Sequence, residues 1–409
     1  MYCTLPTVLT SVFKCCELIH LRCCRSFQGG DAVKTKFIVF LLLLFITLAL
    51  TGCGETRHLL RYDKPAEEKV WPQLPDKPRF RYVGQLVGES NLSAVNDGGA
   101  GAAIGRFFKA LVGLNDRPDT SRSLLRPQSG TVDAAGRIIV TDAGRQAIFV
   151  FDQKLGKLDV WRGATKDFNF VSPVGVAVAK NGDILVADSE LRRVIRLDSK
   201  GNPKSTLGFE DLERPTGLSI DAKTGRIFVA DTGEHNIKVY SDAGKLIQVI
   251  GQVGTRRGEF NAPTHISFVG DKLYVTDTFN ARVQIFDSKG RFIRAIGSRG
   301  LYLGNLVRPK GVTADSFGNI YIIESFHDYL LIYDQDTRFL LPIGGTGSGI
   351  GKFYLPAGVW SDQQSRIYVA DMYNGRVVVF QYLGEQGQSD ASSVIPISVN
   401  AVSASSQEK

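Results

Sequence analysis

Six acidic residues recur along the chain, each at the end of a short apolar segment, and their type and spacing are the first hint of chemistry. They are Asp142, Asp188, Asp231, Asp277, Glu324 and Asp371. A ring of carboxylates could hold a divalent cation or exchange protons with a substrate. Recurrence at equivalent places favours a different role, because acid side chains beside turns accept hydrogen bonds from backbone N–H groups. We therefore predict that these acids are structural and assign no catalytic residue.

Three histidines in the second half of the chain are the other residues that could bind a metal. His235 and His327 fall in turn segments, whereas His265 falls in a strand-like segment. A zinc site needs three or four ligands that converge on one tetrahedral centre. Because these histidines come from different kinds of segment, we do not expect them to converge, and no metal site is predicted.

The acids belong to six copies of one sequence pattern. The copies open at Pro127, Pro173, Pro215, Pro263, Pro309 and Pro356, at intervals of 46, 42, 48, 46 and 47 residues. Each copy has short β-branched or alternating segments separated by Gly, Asn and Asp, which is typical of antiparallel strands. A period of this length with four strands indicates propeller blades. The predicted fold is an all-β, six-bladed β-propeller of four-stranded antiparallel blades.

The last copy ends after its third strand, which would leave a sheet edge open. The segment RFRYVGQLVG at residues 79–88 matches the fourth-strand pattern of the other copies. We predict that this N-terminal strand completes the sixth blade and closes the ring. The propeller is accordingly placed at residues 79–383, followed by a disordered tail at 384–409 that is rich in Ser and Gln.

One insertion, at residues 89–126, interrupts the repeats. Ile104, Phe107, Phe108, Leu111 and Val112 have the spacing of an amphipathic helix. The helix either packs on a face of the propeller or acts as a lid or docking helix for a partner.

The N-terminal region has the features of an export signal. An apolar run of fourteen residues at 37–50 follows two lysines and precedes the segment LTGC at 50–53, which resembles a bacterial lipobox. The resemblance implies that Cys53 is lipidated. We predict a signal region at 1–52, with residues 1–32 ahead of the true start, and a lipidated Pro-rich tether at 53–78. The protein is expected to be exported and lipid-anchored to the cell membrane or outer membrane, facing the periplasm or exterior.

Cysteine usage and charge exclude some functions. All six cysteines lie in the first 53 residues, so the repeats contain neither a disulfide nor a cysteine-based site. The chain has 49 Lys and Arg against 41 Asp and Glu, a net charge of +8. From Cys53 onward the balance is 44 to 39, a mild and dispersed excess that does not indicate nucleic-acid binding.

Two copies carry a motif that points to a known family. DTFNARVQIFD at residues 277–287 and DMYNGRVVVF at 371–380 resemble NHL repeats, and the chain resembles a six-bladed NHL-type propeller lipoprotein of bacteria. The resemblance implies either a binding module or a lyase that carries zinc on inner-strand histidines. The histidine that such lyases place directly after the blade-opening proline is absent from all six copies.

Candidate binding residues come from the segments that should gather at one pole of the disc. Arginine and aromatic side chains there suit a protein interface or an anionic glycan, although they could equally be solvated or cover the blade ends. The candidates are Arg192, Arg193, His235, Arg256, Arg257, His265, Phe279, Arg282, Arg299, Tyr302 and Tyr373.

The predicted function is that of a monomeric, membrane-tethered, non-enzymatic binding or scaffold module without a cofactor. Its partner would be a protein or polysaccharide of the cell envelope. The alternative is a metal-dependent lyase or lactonase with the same fold, the lactonase type holding Ca²⁺ in the central channel.

Overall fold

The computed structural model describes residues 58–62, 68–94 and 122–384. The predicted signal region, Cys53, the helix at 104–112 and the tail from residue 385 lie outside the described residues. Within the described ranges, no helix is long and apolar enough to cross a membrane. Helical structure there consists of the short 3₁₀ segments Glu89–Asn91 and Thr278–Asn280.

Five sheets share one topology, in which four antiparallel strands follow each other in chain order from the inner to the outer edge. Blade 1 consists of β5 (Pro127–Val132), β6 (Ile138–Asp142), β7 (Ala147–Asp152) and β8 (Lys157–Trp161). Blade 2 consists of β9 (Pro173–Val178), β10 (Ile184–Asp188), β11 (Arg193–Leu197) and β12 (Pro203–Leu207). Blade 3 consists of β13 (Pro215–Ile220), β14 (Ile227–Asp231), β15 (Asn236–Tyr240) and β16 (Leu246–Ile250). Blade 4 consists of β17 (Pro263–Val269), β18 (Lys272–Asp277), β19 (Arg282–Asp287) and β20 (Phe292–Ile296), and blade 5 of β21 (Pro309–Ala314), β22 (Ile320–Glu324), β23 (Tyr329–Tyr333) and β24 (Phe339–Gly344).

The sixth sheet joins the two ends of the propeller. Its C-terminal strands are β25 (Val359–Ser361), β26 (Arg366–Asp371) and β27 (Arg376–Tyr382), and β3 (Phe80–Leu86) pairs antiparallel with β27. Strand β3 therefore occupies the fourth-strand position, where the sequence analysis placed the closing strand.

The tether residues on either side of 63–67 are packed against the body. Strand β2 (Val70–Trp71) pairs with the outer edge of β3, and the Trp71 ring meets the edge of the Phe380 ring at 5.5 Å. Strand β1 (His58–Leu60) pairs with β4 (Leu92–Ala94). The sequence analysis assigned residues 53–78 to a Pro-rich tether. The described part of this segment adds strands to the fold, and Trp71 is partly buried against the cluster between blades 5 and 6.

The six inner strands touch in a closed circuit, from β5 through β9, β13, β17, β21 and β25 back to β5. Glycine permits this close approach. A Cβ atom at Gly175 would lie 2.3 Å from the Thr216 carbonyl oxygen, and one at Gly358 would lie 2.5 Å from the Gln128 carbonyl oxygen. A side chain is therefore excluded at Gly175 and at Gly358, where inner strands of neighbouring blades meet.

The hydrophobic core consists of six clusters, each between two adjacent blades. Strand β3 contributes to two of them. Phe80 and Tyr82 lie in the cluster between blades 5 and 6, and Leu86 lies in the cluster between blades 6 and 1. Strand β3 thus contributes hydrogen bonds to β27 and apolar packing on both sides of its blade.

The inserted segment starts and ends at one place. Gly88 and Ser123 form an isolated antiparallel bridge, and the Leu124 N–H donates to the Val87 carbonyl at 2.7 Å. The Asn91 side chain fixes the base by accepting from the Val87 N–H at 2.6 Å and donating to the Gln85 carbonyl at 2.9 Å. An insertion of this kind leaves the blade order intact.

Candidate binding face and central channel

Two sets of connections lie on the same face of the disc. They are the loops from the fourth strand of one blade to the first strand of the next, and the turns between the second and third strands, as antiparallel order requires. We call this the loop face. The turns between first and second strands and between third and fourth strands form the opposite face.

Each repeated acid ties a loop to a turn on the loop face. Asp142 accepts from the Leu125 N–H at 2.6 Å, before its blade, and from the Arg145 N–H at 2.8 Å, in its turn. Equivalent bonds link Asp188 to Val171 and Leu191, Asp231 to Glu213 and Glu234, and Glu324 to Arg308 and His327. Burial raises the pKa of Asp142 and of Asp371, although hydrogen bonds to each carboxylate oppose the shift. The predicted hydrogen bonds from backbone N–H groups to these acids are present.

The Asn and Arg of the two fuller repeats extend the same network. Asn280 donates to the Gly254 carbonyl at 2.8 Å and to the Asp277 carboxylate at 2.9 Å. Asn374 makes the corresponding bonds to the Gly347 carbonyl and to Asp371. The motif therefore anchors the loop that enters its blade.

The prediction that Arg282 offers its guanidinium to a partner needs correction. Its Nε lies 2.7 Å from the Asp277 carboxylate, and its Nη2 donates to the Arg256 carbonyl at 2.7 Å and the Glu259 carbonyl at 2.9 Å. The side chain is 15% exposed. Arg282 is directed inward because a buried carboxylate and two loop carbonyls satisfy its donors, so it organises residues 256–259.

Exposed apolar side chains are concentrated on the loop face. Among the large hydrophobic residues that are exposed in the described chain, the opposite-face turns contribute Leu155 and Phe317. The outer strands contribute Ile247, Val249, Ile293, Phe339 and Leu340, and the N-terminal segment contributes Leu59 and Leu74. The loop face contributes Leu125, Phe168, Val171, Phe209, Val253, Phe279, Leu301, Tyr302, Leu303, Phe326, Ile350, Tyr354 and Tyr373. Such asymmetry is typical of an interaction surface, because soluble monomers rarely expose extended apolar patches.

The structure brings several of the predicted residues to this exposed surface. Tyr302 is 86% exposed and Phe279 is 58% exposed. Arg299 donates to the Phe279 carbonyl at 2.6 Å and so joins the loop of Tyr302 to the turn of blade 4. Tyr373 is half exposed and meets Tyr354 edge to face at 5.4 Å.

The remaining predicted arginines and His235 lie on the same face. Arg192 is exposed, and the Arg193 guanidinium lies 4.2 Å from the centre of the exposed Phe209 ring. Arg256 and Arg257 are exposed in the loop between blades 3 and 4. His235 accepts from the Ala262 N–H through Nδ1 at 2.9 Å, which holds its ring against that loop.

His265 lies apart from the others, inside the central channel. Its Nδ1 accepts from the Val312 N–H of blade 5 at 3.3 Å, and its Nε2 lies 3.3 Å from the Ser129 hydroxyl of blade 1. Because Nδ1 accepts, the ring proton is on Nε2 and is directed at Ser129. Blades 4 and 1 are opposite each other in the ring, so one imidazole spans the channel. Burial lowers the pKa of His265 to about 4.

The stability of the protein should therefore depend on this imidazole below neutral pH. The unfolded chain binds the proton near pH 6.5, whereas the folded chain binds it only near pH 4, so acid favours the unfolded state across this window. Between pH 6.5 and 4, we expect the free energy of unfolding of the unsubstituted protein to fall by about 2 to 3 kcal/mol. The His265→Gln variant should lack this fall. Urea unfolding of both proteins at intervals of half a pH unit measures the difference, and a difference that does not change with pH would contradict the assignment.

The histidines occupy separate environments. His327 Nδ1 lies 2.8 Å from the Glu324 carboxylate in the turn of blade 5, whereas His235 faces the loop before blade 4. Among the residues that the structure describes, no three His, Cys, Asp or Glu side chains are grouped as metal ligands.

Sequence reasoning missed part of this face. Phe168, Phe209, Leu301, Leu303 and Tyr354 are exposed there, but the sequence analysis did not select them. Their position in the sequence could have identified them, because each lies between the fourth strand of one copy and the opening proline of the next. Aligning the copies on their prolines would have found them.

Comparison with known proteins agrees with the six-bladed repeat fold. A family model described as NHL repeat matches residues 170–194 and 212–240, and one described as 6-bladed beta-propeller matches residues 259–304. Human NHL-repeat-containing protein 4 is 36% identical over 94 residues, which are 23% of this chain and 72% of that protein. The chain belongs to the NHL-repeat family.

Two further relatives match over shorter shares of their own length. Human NHL repeat-containing protein 3 is 31% identical over 134 residues, which are 31% of this chain and 38% of that protein. A probable peptidyl-alpha-hydroxyglycine alpha-amidating lyase of Caenorhabditis elegans is 30% identical over 128 residues, which are 28% of this chain and 37% of that protein. The chain thus spans less than two fifths of the length of these two relatives.

A solved structure of streptogramin B lyase aligns with 77% of this NHL-repeat chain and 97% of its own chain, with a TM-score of 0.50. The two sequences are 13% identical. This likeness shows the six-bladed fold alone.

Proposed function

We propose that this NHL-repeat propeller is a binding module that holds a protein or polysaccharide of the cell envelope on its loop face. In the same proposal, lipid on Cys53 attaches the module to the cell membrane or outer membrane, and the module acts without catalysis. The observation that carries the proposal is the concentration of exposed apolar side chains on the loop face.

The chemistry of the face supports a macromolecular partner. Exposed aromatic rings supply apolar contact area, and neighbouring arginines supply directed hydrogen bonds, the combination that dominates binding energy at protein interfaces. Tyr302, Phe279 and Arg299 form one such group, and Arg193 with Phe209 forms another. The repeated acids are buried and hydrogen-bonded to the loops, which supports a structural role for them.

Capture of partners from solubilised envelope tests the proposal. The test variant is Arg256→Ala/Arg257→Ala/Tyr302→Ala, which keeps Arg282 because that side chain supports the loop. The matched control is Lys154→Ala/Leu155→Ala on the opposite face, where Leu155 is 71% exposed. We expect the loop-face variant to recover the specific partner at least tenfold less than the control, since a few anchors dominate interfaces. Equal recovery by both variants would contradict the proposal.

The second candidate function is a metal-dependent lyase or lactonase, favoured by the match to the amidating lyase. Metal analysis of the purified protein distinguishes the two candidates. Zinc or calcium present at one ion per chain, and released by a chelator together with an activity, would replace the binding proposal with the enzymatic one.

A further inference from the structure

A cavity of about 650 Å³ lies on the opposite face of the disc, where blades 5 and 6 meet. Blade 5 supplies β24 and two turns to its lining, one between β21 and β22 and the other between β23 and β24. Blade 6 supplies the start of β3 and the end of β27, and the chain that precedes β3 supplies Pro72, Lys77 and Arg79. Ligand sites in proteins commonly have volumes of roughly 300 to 1,000 Å³, so this cavity has room for a small organic molecule.

Aromatic and aliphatic side chains give the cavity an apolar wall. The centre of the Tyr382 ring lies 5.2 Å from that of Phe80 and 5.3 Å from that of Phe317, so the three rings are contiguous. Phe80 and Tyr382 are buried, whereas Phe317 is 63% exposed and Leu340 is 52% exposed. A ligand with an apolar body would remove part of this exposed area from water, which is favourable.

Two cations of the lining have no partner among the residues that the structure describes. Neither the Lys77 ammonium group nor the Arg79 guanidinium group takes part in a hydrogen bond or an ion pair there. The backbone of Arg79 is nevertheless fixed, because its N–H donates to the Trp71 carbonyl at 2.7 Å and its carbonyl accepts from the Leu383 N–H at 2.8 Å. The donors of both side chains are therefore available to an anion in the cavity.

The acids of the same lining are already engaged within blade 5. The Asp334 carboxylate accepts from the N–H groups of Asp336 and Arg338 at 2.9 Å each, and it lies 2.6 Å from the Arg338 Nε. The Asp336 carboxylate lies 3.3 Å from Nη2 of the same guanidinium. Because both acids are paired with Arg338, they leave Lys77 and Arg79 without a counter-charge. With three cations and two acids, the lining has a net charge of +1.

We propose that this cavity binds a small organic acid, an aromatic carboxylate whose ring packs against Phe317 and Leu340. Its carboxylate would accept hydrogen bonds from Arg79 and Lys77. A guanidinium group can donate two parallel hydrogen bonds to a carboxylate, and the ammonium group adds a charge-assisted donor. Because charge and apolar area both contribute, a neutral aromatic compound and a carboxylate without a ring should each bind more weakly. The site is on the opposite face and is independent of any macromolecule on the loop face.

Equilibrium dialysis of the full-length purified protein tests the site, with 2-naphthoate as the probe. Two reference compounds separate the contributions: 2-naphthalenemethanol has the same rings without the charge, and acetate has the carboxylate without the rings. We expect 2-naphthoate to bind saturably, with one molecule per chain and a dissociation constant at least tenfold lower than that of either reference compound.

Two variants locate the binding in the cavity. Phe317→Ala removes exposed apolar area and Lys77→Gln/Arg79→Gln removes both free charges, and each variant should raise the dissociation constant of 2-naphthoate at least fivefold. The matched control is Lys154→Gln/Leu155→Ala, which changes an exposed lysine and an exposed apolar side chain in a turn of blade 1 on the same face. The control should leave the dissociation constant within twofold. Absence of saturable binding, equal affinity for the acid and the alcohol, an unchanged constant in either test variant, or equal weakening by the control would overturn the proposal.

Discussion

Deletion of residues 79–88 is expected to unfold the whole propeller rather than loosen one blade. Phe80, Tyr82 and Leu86 are buried in the two core clusters that flank blade 6. Removal of one large buried side chain typically costs 2 to 5 kcal/mol, so loss of three costs roughly 6 to 15 kcal/mol. That range equals the entire stability of a typical domain, about 5 to 15 kcal/mol.

Circular dichroism and calorimetry of the deleted protein measure this effect. The matched control is Arg81→Ala, in the same strand, which removes only a long ion pair of 3.6 Å with Glu68 at the surface. We expect the control to melt like the unsubstituted protein. A deleted protein that still melts in one cooperative transition within a few degrees of the control would show that β3 does not close the ring.

Replacement of Asp277 by alanine should strongly destabilise the protein. The buried carboxylate accepts from the Asn261 N–H at 2.7 Å, from Arg282 at 2.7 Å and from Gln284 at 3.2 Å. Its loss leaves the Arg282 guanidinium buried without a counter-charge. Breaking a buried ion pair on one side typically costs about 3 to 5 kcal/mol.

Urea unfolding compares Asp277→Ala with Lys223→Ala, which breaks an exposed pair with Asp271 at 2.9 Å. The exposed substitution should leave the free energy of unfolding essentially unchanged, because solvent screens such pairs. Asp277→Ala should also weaken partner capture, since Asp277 and Arg282 hold the loop of Arg256 and Arg257 in place. Equal stability of the two variants would contradict the structural role of the repeated acids.

The repeated features of the fold could be predicted because their information is local and copied six times. Opening prolines and terminal acids recur in each copy, and the strand at 79–88 carries the fourth-strand pattern even though it precedes the first copy. The hydrogen bonds of the acids followed from the same regularity. The strand pattern of one copy could therefore be used to predict the structure of the others.

The features that were missed depend on contacts between copies or on loops of unequal length. In the sequence, Arg282 has the character of a surface cation. The direction of its guanidinium is set by the carbonyls of Arg256 and Glu259 in the preceding loop. Val70 and Trp71 lie in a proline-rich stretch, and only the exposed edge of β3 explains why they form a strand. Such contacts have no signature within a single copy.

Features that recur in every copy and features that occur in single copies have different roles in this NHL-repeat chain. Opening prolines and buried acids, which all copies share, build the ring. What single copies add occupies the loop face and the channel, as with Tyr302 and His265. Because function requires asymmetry that a sixfold element lacks, we expect binding to follow these departures.

Photo-crosslinking in intact cells tests the central claim most directly. A photoreactive phenylalanine analogue would replace Phe279 or Tyr302 on the loop face, and Leu155 or Phe317 on the opposite face, all of which are exposed. We expect a discrete crosslinked adduct from the two loop-face positions and none from the opposite face. Adducts from Leu155 or Phe317 alone would contradict it.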